Sequence, residues 1–267
     1  MSALVGLGPL YRRRVASTTK QPLAIVGQTL TPILWVLVVG PALATSFGAS
    51  VHDFDYFSYV CVGQIVFVLP FSAMFAGLSA MFDRDWGIQR ELLVAPIRRS
   101  SIPLANTAAV LTIGGAQLAL ILVLAAARGA SFHTSPLRLL AALAAAALLT
   151  AFVYGLAELL VYTIKQPQVF GTLIPAIGAT PYLLSGAIYP ITTLPAGIQQ
   201  AAWLLPWTHC VAVLRYGLLG DRASGLGDLW PGSNTTAMAL SSLALLAIAT
   251  AVTQTLSHRR FAAATTR

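Results

Sequence analysis

The residue types that catalyse bond-making reactions are sparse in this chain and do not cluster. The four histidines are dispersed, at His52, His133, His209 and His258. No His-Glu-x-x-His or Gly-x-Ser-x-Gly pattern occurs, and the two cysteines lie far apart without metal-ligand spacing. The residues therefore predict no catalytic site and no metal site. A membrane-embedded lipid-modifying enzyme, the alternative, would need polar catalytic residues gathered at one interface.

A charged segment that follows the second apolar run has the pattern of a short docking helix. Asp83 or Asp85 can cap its start, and Pro96 or the residue before it stops it, while apolar residues recur on one face. A helix of about ten residues is marginal alone and needs a partner surface. We therefore expect docking on another protein; the alternative is a solvated loop that only sets topology. The residues predicted to take part are Asp83, Arg84, Asp85, Trp86, Ile88, Arg90, Glu91, Leu92 and Pro96.

A second segment, between 180 and 219, combines prolines with aromatic residues near the predicted outer surface. Prolines split the apolar run 191–219 into two pieces of about a dozen residues, which suits a re-entrant hairpin better than a span. Broken helices at membrane depth are tolerated where they are buried or line a cavity. We expect an outer gate; a structural plug is a compatible alternative. Its residues are Tyr182, Ser185, Gly186, Tyr189, Pro190, Pro195, Pro206, Trp207 and Arg215.

Four polar residues within apolar runs are candidates for lining a pathway. Glu158 is the only acid well inside a predicted span, and an intramembrane carboxylate is a functional candidate by default. A structural role, solvated or paired near Lys165, is favoured for it. Gln28, Thr29 and Thr31 form a polar patch beside a proline, which interhelical hydrogen bonding explains equally well.

The composition sets the class of protein that must position these residues. Of the 267 residues, 57% are apolar and only 9% are charged, against about 25% charged in soluble domains. A soluble enzyme and a nucleic-acid-binding domain are excluded, despite the net charge of +8. The chain is predicted to be an all-α, polytopic membrane protein. Six segments are long enough to span a bilayer: about 22–45, 57–82, 103–127, 137–163, 168–190 and 236–257.

The distribution of basic residues predicts the orientation. With a cytoplasmic N-terminus, twelve Lys and Arg residues fall on inner segments and four on outer ones. Both termini are therefore expected in the cytoplasm. Residues 2–20 place Leu4, Leu7, Tyr11 and Val15 on one helical face, with arginines on the other. This pattern favours a helix in the inner interface, its arginines toward anionic headgroups; a positively charged flank that only sets topology is the alternative.

Two motifs in this order and topology resemble those of ABC-2 type transporter permeases. The first is Arg84-Asp85-Trp86-Gly87-Ile88-Gln89-Arg90-Glu91-Leu92-Leu93-Val94-Ala95-Pro96-Ile97-Arg98-Arg99. The second is Leu184-Ser185-Gly186-Ala187-Ile188-Tyr189-Pro190, followed by Leu194-Pro195, Pro206-Trp207-Thr208-His209 and Leu214-Arg215. The resemblance implies that 83–96 is a coupling helix that fits a nucleotide-binding subunit, and that 191–219 are outer re-entrant helices.

The resemblance also implies partners and a role. Two ATPase subunits would bind ATP and Mg, and a second permease, identical or homologous, would complete the pathway in a bacterial cell membrane. The chain itself has only Lys20 and Lys165, neither in a Gly-Lys-Ser/Thr sequence, so it contains no P-loop. The expected role is export of an amphipathic drug-like or lipidic molecule; polysaccharide export is the alternative within the family. An ATP-independent channel would leave the charged segment unexplained.

Overall fold

The computed structural model describes residues 6–20, 22–47, 55–95 and 98–265. Within these ranges the chain is helical and has no strand, which confirms the predicted all-α class. The helices are α1 Leu7–Thr19, α2 Pro22–Leu34, α3 Gly40–Phe47, α4 Tyr56–Asp85, α5 Ile88–Val94, α6 Ser101–Ala127, α7 Pro136–Val161, α8 Pro167–Gly178, α9 Thr180–Leu184, α10 Ala196–Trp203, α11 Pro206–Leu218 and α12 Thr235–Thr265.

Five helical stretches in the described part of the chain are long and apolar enough to cross a bilayer. A helix of 20 residues already spans about 30 Å, the thickness of the hydrocarbon core. The chain is therefore a multi-pass membrane protein, as the composition predicts. The five stretches are Thr29–Ser46, Tyr56–Asp85, Ser101–Ala127, Pro136–Val161 and Thr235–Thr265.

The predicted continuous span at 168–190 is wrong as a single helix. The structure has α8, a break at Ala179, and the five-residue α9, which ends at Leu184. Pro175 lies inside α8 and Pro181 lies in α9, and neither can donate a backbone hydrogen bond. A periodicity count over apolar residues does not register this loss. A crossing of the bilayer by α8 and α9 together remains a prediction.

The first predicted span is also not a uniform α-helix. Between α2 and α3 the residues Trp35–Val39 form one π-helical turn, and the backbone stays in the helical conformation at Gly40. Pro41 follows directly, and its missing N–H group removes one regular hydrogen bond from this stretch. The interruption therefore coincides with a residue that cannot support regular α-helical bonding.

Helix α7 lies at the centre of the bundle and packs against α4, α11 and α12. Small residues on the contact faces let the backbones approach. A β-carbon at Gly77 of α4 would lie 2.5 Å from Ala157, and one at Gly217 of α11 would lie 2.6 Å from the carbonyl oxygen of Arg138. Close packing of small residues is the main means by which helices associate in lipid. These two glycines thus let α4 and α11 approach α7 closely.

Helix α1 packs mainly against α6 and also contacts α12. Leu10 joins a cluster with Ile102 of α6 and Phe261 of α12. The expectation that all its arginines face headgroups is wrong for Arg14, which is only 2% exposed, whereas Arg12 is exposed. The physical reason is that Arg14 has polar partners inside the protein, described below. Residues 2–5, with Leu4, lie outside the described ranges.

Candidate functional site

The predicted docking segment is built differently from the expected helix over 83–96. Helix α4 continues through Asp85, because the amide of Trp86 still donates to the carbonyl oxygen of Phe82 over 2.9 Å. Gly87 then turns the chain with φ of 81°, a conformation that favours glycine. The seven-residue α5 follows, so neither Asp83 nor Asp85 caps it, which corrects that expectation. Pro96 lies outside the described residues.

Asp83 ties helix α1 to the end of α4. Its Oδ2 accepts hydrogen bonds from Nη2 of Arg13 over 3.0 Å and from Nη1 of Arg14 over 3.1 Å. Nη2 of Arg14 also donates to the carbonyl oxygen of Ala76 over 2.6 Å. These bonds satisfy a buried guanidinium, which would otherwise be costly in this position. The two helices are thus joined at the point where the docking segment begins.

Arg84 joins this corner, the junction of α4 and α5 at residues 83–87, to the end of α7. Its guanidinium donates to the carbonyl oxygens of Val161 and of Ile164, the latter over 3.0 Å, and it contacts Asp85 at 2.8 Å. The last carbonyls of a helix have no intrahelical donors, so a cation is well placed there. Arg84 is therefore held inside the chain and is not a freely projecting charge.

Helix α5 has one face on the protein and one face in the open. Leu92 packs into the cluster around Leu10. The opposite side presents the charged pair Arg90 and Glu91, while Trp86 and Val94 are 72% and 86% exposed. Ile88 is half-buried. An exposed indole beside opposite charges is suited to contact with another protein surface.

The segment 180–219, predicted to form an outer gate, contains a buried arginine. Arg215 of α11 is 3% exposed and donates to the carbonyl oxygens of Gly186 and Ala187 over 2.9 and 2.6 Å. Its guanidinium carbon lies 3.3 Å from the centroid of the Tyr59 ring, in cation–π contact. Arg215 therefore holds the loop after α9 against α11 and α4. We call this set of contacts, between Arg215, Tyr59 and residues 186–187, the clamp.

Two residues of this arrangement were not found from the sequence. The ring of Tyr59 makes the cation–π contact with Arg215, and Gly63 lies one turn later on α4. A β-carbon built at Gly63 would lie 2.0 Å from the carbonyl oxygen of Ala187, so only glycine fits. Gly63 lies in an apolar run, and the sequence gives no sign that it contacts residues 186–187. A glycine inside a strongly apolar helix is the one available signal.

The other residues predicted for the outer gate make separate contacts or lie at the ends of short helices. The hydroxyl of Tyr182 donates to Oε1 of Gln64 over 3.0 Å, and that of Tyr189 donates to the carbonyl oxygen of Leu183. Trp207 packs edge-on against Phe152 of α7. Ser185 and Gly186 form the turn after α9, Pro190 and Pro195 flank a single 3-10 turn, and Pro206 begins α11. Helix α11 is buried from Trp207 to Leu218.

A cavity of about 400 Å³ lies among α2, α4 and α6. Three phenylalanines of α4 form one side of it, with ring centroids 4.9 Å and 5.8 Å apart in succession. Thr31, one of the predicted pathway residues, is part of the wall; Thr29 is not among the lining residues, and the side chain of Gln28 lies outside the described part. The lining residues are Gly27, Thr31, Phe67, Val68, Phe71, Ser72, Phe75 and Gln117.

Glu158 is not one of the lining residues of this cavity. It is 3% exposed and accepts a hydrogen bond of 2.5 Å from Ser257 of α12. Lys165 is exposed just beyond the end of α7. The hydrogen-bond partner of Glu158 is Ser257 and not a group near Lys165, as the sequence had suggested. This partner is consistent with the structural role favoured from the sequence. Within the described ranges, no three His, Cys, Asp or Glu side chains are grouped closely enough to hold a metal ion.

Comparison with known proteins places the whole arrangement in one family. Residues 7–219 match the family model described as "ABC-2 type transporter". The chain is 28% identical over 215 residues to "Nodulation protein J" of Rhizobium leguminosarum bv. trifolii, covering 79% of this chain and 80% of that protein. It is 28% identical over 213 residues to "Putative transport permease ycf38" of Porphyra purpurea, covering 78% and 72%. The family match spans α1 through α11, including both candidate segments. The chain therefore belongs to the ABC-2 type transporter family.

Proposed function

We propose that this chain is the permease subunit of an ATP-driven exporter that moves an amphipathic drug-like or lipidic molecule from the cytoplasmic side outward. The observation that carries the substrate class is the lining of the 400 Å³ cavity. Two permease chains, identical or homologous, would enclose the pathway, and two separate ATPase subunits would bind ATP and Mg. The family membership and the transport permease relative support this role.

The cavity combines a broad apolar wall with a few polar groups. Phe67, Phe71 and Phe75 supply the apolar wall, while the side chains of Thr31 and Gln117 contribute hydrogen-bonding groups. No lining residue is charged. Ligand sites of this kind bind by burial of apolar surface and orient the ligand through a small number of polar contacts. A molecule with both an apolar part and a polar part matches such a wall.

A polysaccharide or glycoconjugate is the second candidate substrate. A polysaccharide exporter is expected to carry many aromatic and polar residues along its spans. The structure brings the ring of Tyr182 to 5.1 Å from Phe67, which extends the row of three phenylalanines to four aromatic rings. A row of aromatic rings beside polar groups can also stack on the apolar faces of sugar rings. This observation therefore supports a polysaccharide as the second candidate substrate.

The ATPase subunit is proposed to dock on the exposed side of α5. Arg90, Glu91 and Val94 lie within about one helical turn of one another and face away from the Leu92 cluster. Through Asp83 and Arg84 this corner is bonded to α1 and to the end of α7. Movement of a docked subunit would therefore act on three helices at once. ATP binding would shift the population of the permease between inward-open and outward-open states.

The docking proposal is tested by purification of the tagged permease from its own membranes in mild detergent. A stoichiometric companion with a P-loop, and ATPase activity in the purified complex, is expected. Arg90→Glu and Glu91→Arg should lower recovery of the companion at least tenfold, because each reverses a charge on the docking face. Arg260→Glu, an exposed charge reversal on α12, is the matched control and should retain it. Equal recovery in all variants would overturn the docking site.

The substrate class is tested with inverted membrane vesicles that contain the whole complex. ATP-dependent uptake of a fluorescent acyl amphiphile is expected, and uptake of a soluble fluorescent oligosaccharide is not. Phe71→Ala should reduce uptake several-fold because it removes the middle ring of the row. Leu137→Ala, which removes an exposed apolar side chain at the start of α7, is the control. Uptake of the oligosaccharide with no uptake of the amphiphile would replace the first candidate by the second.

A further inference from the structure

A second cavity, of about 310 Å³, lies below the first, between α1, α4 and α6. The two share Ser72 and Phe75 in their linings, so they adjoin on the same side of α4. Along α4 the residues from Phe67 to Asp83 cover about 24 Å at 1.5 Å per residue. The joined cavities therefore extend over most of the hydrocarbon thickness of about 30 Å, from mid-helix to the charged inner end of α4.

The inner end of this groove carries an excess of cationic groups. Arg13 and Arg14 line it, and the one acid in the lining is Asp83. Both arginines donate to the same carboxylate oxygen, Oδ2. Glu158 acts electrostatically on Arg14 but does not belong to the lining. One carboxylate thus accepts hydrogen bonds from two guanidiniums at the mouth of an otherwise uncharged groove, which leaves one positive charge in excess there.

Arg13 is the cation with capacity for a ligand. Its side chain is 37% exposed, whereas that of Arg14 is 2% exposed. Within the described part of the chain Arg13 makes one hydrogen bond, from Nη2 to Asp83. Its Nε and Nη1 groups remain as donors, and guanidinium binds the oxygens of phosphate and related anions in a two-pronged geometry. Arg13 can therefore hold an anionic group while Asp83 stays in place.

We infer that this groove is a loading site for an anionic amphiphile, with its phosphate-like headgroup at Arg13 and its apolar chain along Phe75 and Phe71. The inference deepens the proposed function and rests on it, because it specifies the charge of the transported class and where it enters. The headgroup lies at the inner end of α4, and the chain lies beside the uncharged wall of the first cavity. A neutral amphiphile would leave the donors of Arg13 unused.

The test places a reporter in the groove. Ser79 lines the inner cavity, and both native cysteines, Cys61 and Cys210, are buried. Ser79→Cys in phosphatidylcholine nanodiscs is labelled with a water-soluble maleimide while dodecyl phosphate is titrated. Dodecyl phosphate should slow labelling at least fivefold. Dodecyl maltoside, which is uncharged, and inorganic phosphate, which has no chain, should each change the rate less than twofold at the same concentrations.

Paired charge variants locate the headgroup. Arg13→Gln should raise the concentration of dodecyl phosphate needed for half-protection about tenfold, as expected for loss of one charge-assisted contact. Arg12→Gln is the matched control, since Arg12 is exposed and outside the cavity lining, and it should stay within twofold. Equal weakening by both variants would mean attraction by surface charge alone and would overturn the site.

Other outcomes also decide the matter. Protection by dodecyl maltoside equal to that by dodecyl phosphate would overturn the headgroup site, and protection by inorganic phosphate alone would mean a free-anion site without a chain groove. No protection at all rejects the groove. The assay contains neither ATP nor a partner subunit, so its failure is separate from that of the exporter proposal, which the vesicle experiment decides.

Discussion

Arg215 shows how a single side chain can hold a loop to a helix bundle. Three backbone oxygens, of Gly186, Ala187 and Tyr59, accept its hydrogen bonds in a buried setting. We expect Arg215→Gln to lower the free energy of unfolding by about 3 kcal/mol, because buried carbonyls lose a charged donor. Arg215→Lys should be intermediate, since ammonium cannot match the planar fork over the ring. Thermal unfolding in detergent measures both.

The control for this prediction is Arg222→Gln, because Arg222 is exposed in the loop after α11. It should change the free energy of unfolding by no more than about 0.5 kcal/mol. An equal loss in Arg222→Gln and Arg215→Gln would contradict the clamp, because the effect would then follow net charge and not the three carbonyls.

Asp228, in the 3-10 turn Leu226–Asp228 before α12, supplies a pH dependence. Partial burial raises the pKa of the Asp228 carboxyl above its ordinary value of 3.8. The folded protein therefore binds this proton more tightly than the unfolded chain, and the penalty for the charged form is present at pH 7 and disappears as the pH falls through the raised pKa. Asp228→Asn should raise the melting temperature at pH 7 on the order of 1 °C. At pH 3, below the ordinary value of 3.8, the two proteins should melt together; a gain that persists there would contradict this cause.

At the residue scale the sequence identifies which side chains matter better than what they contact. Arg215 and Asp83 are conspicuous as charges beside apolar runs, and the structure gives both a central bonding position. Their partners are mostly backbone carbonyls or residues more than 60 positions away. A single sequence carries no information on such long-range pairs. The same limit explains why Tyr59 and Ser257 were not predicted.

At the scale of elements, the contact between α4 and the loop after α9 depends on one glycine. We expect Gly63→Ala to disrupt this contact, because its methyl group would overlap the carbonyl of Ala187, which is backbone and cannot rotate away. A loss of several kcal/mol and of export is expected. Thermal unfolding and vesicle uptake measure these two effects.

Gly115→Ala of α6 is the control, since a β-carbon there would have nothing within 4 Å. This variant should be neutral or slightly stabilising, as alanine favours helix over glycine. If both alanine variants behaved alike, the close approach of α4 to 186–187 would not be present in the folded protein.

Predictions of elements were good for long uniform helices and poor at their interruptions. The predicted spans 103–127 and 137–163 correspond closely to α6 and α7. The junction at 83–87 was misplaced because charged residues suggested a helix start, whereas backbone hydrogen bonds carried α4 past them. The break between α8 and α9 was not predicted because the apolar composition continues through it. Local backbone geometry, and not hydropathy, decides these places.

At the scale of the whole molecule, the side of the membrane on which α8 and α9 end decides the number of crossings. Six spans place Gln166 in the cytoplasm and Ser233 outside. Both residues are exposed, and the native cysteines are buried, so single cysteines can report on each. We expect an impermeant maleimide to label Ser233→Cys but not Gln166→Cys in intact cells. Labelling of both after permeabilisation shows that each site is reactive.

Protection of both cysteines in intact cells would revise the topology. If Gln166→Cys and Ser233→Cys were both protected in intact cells and both labelled in broken cells, α8 and α9 would return to the side from which they started. The chain would then cross five times and the C-terminal end of α12 would lie outside. The positive-inside distribution argues against that arrangement, because Arg259 and Arg260 would be moved out.

The π-helical turn at Trp35–Val39 has a consequence for chain length among relatives. A π turn closes its hydrogen bonds over five residues where an α turn uses four, so it holds one residue more in the same rise. The faces of α2 and α3 therefore keep their alignment even though the sequence count is offset by one. A homologue one residue shorter in this stretch could run as unbroken α-helix and preserve both packing faces. Deletion of one residue from the middle of α7 would instead turn everything beyond it by about 100°, moving its buried alanines towards lipid.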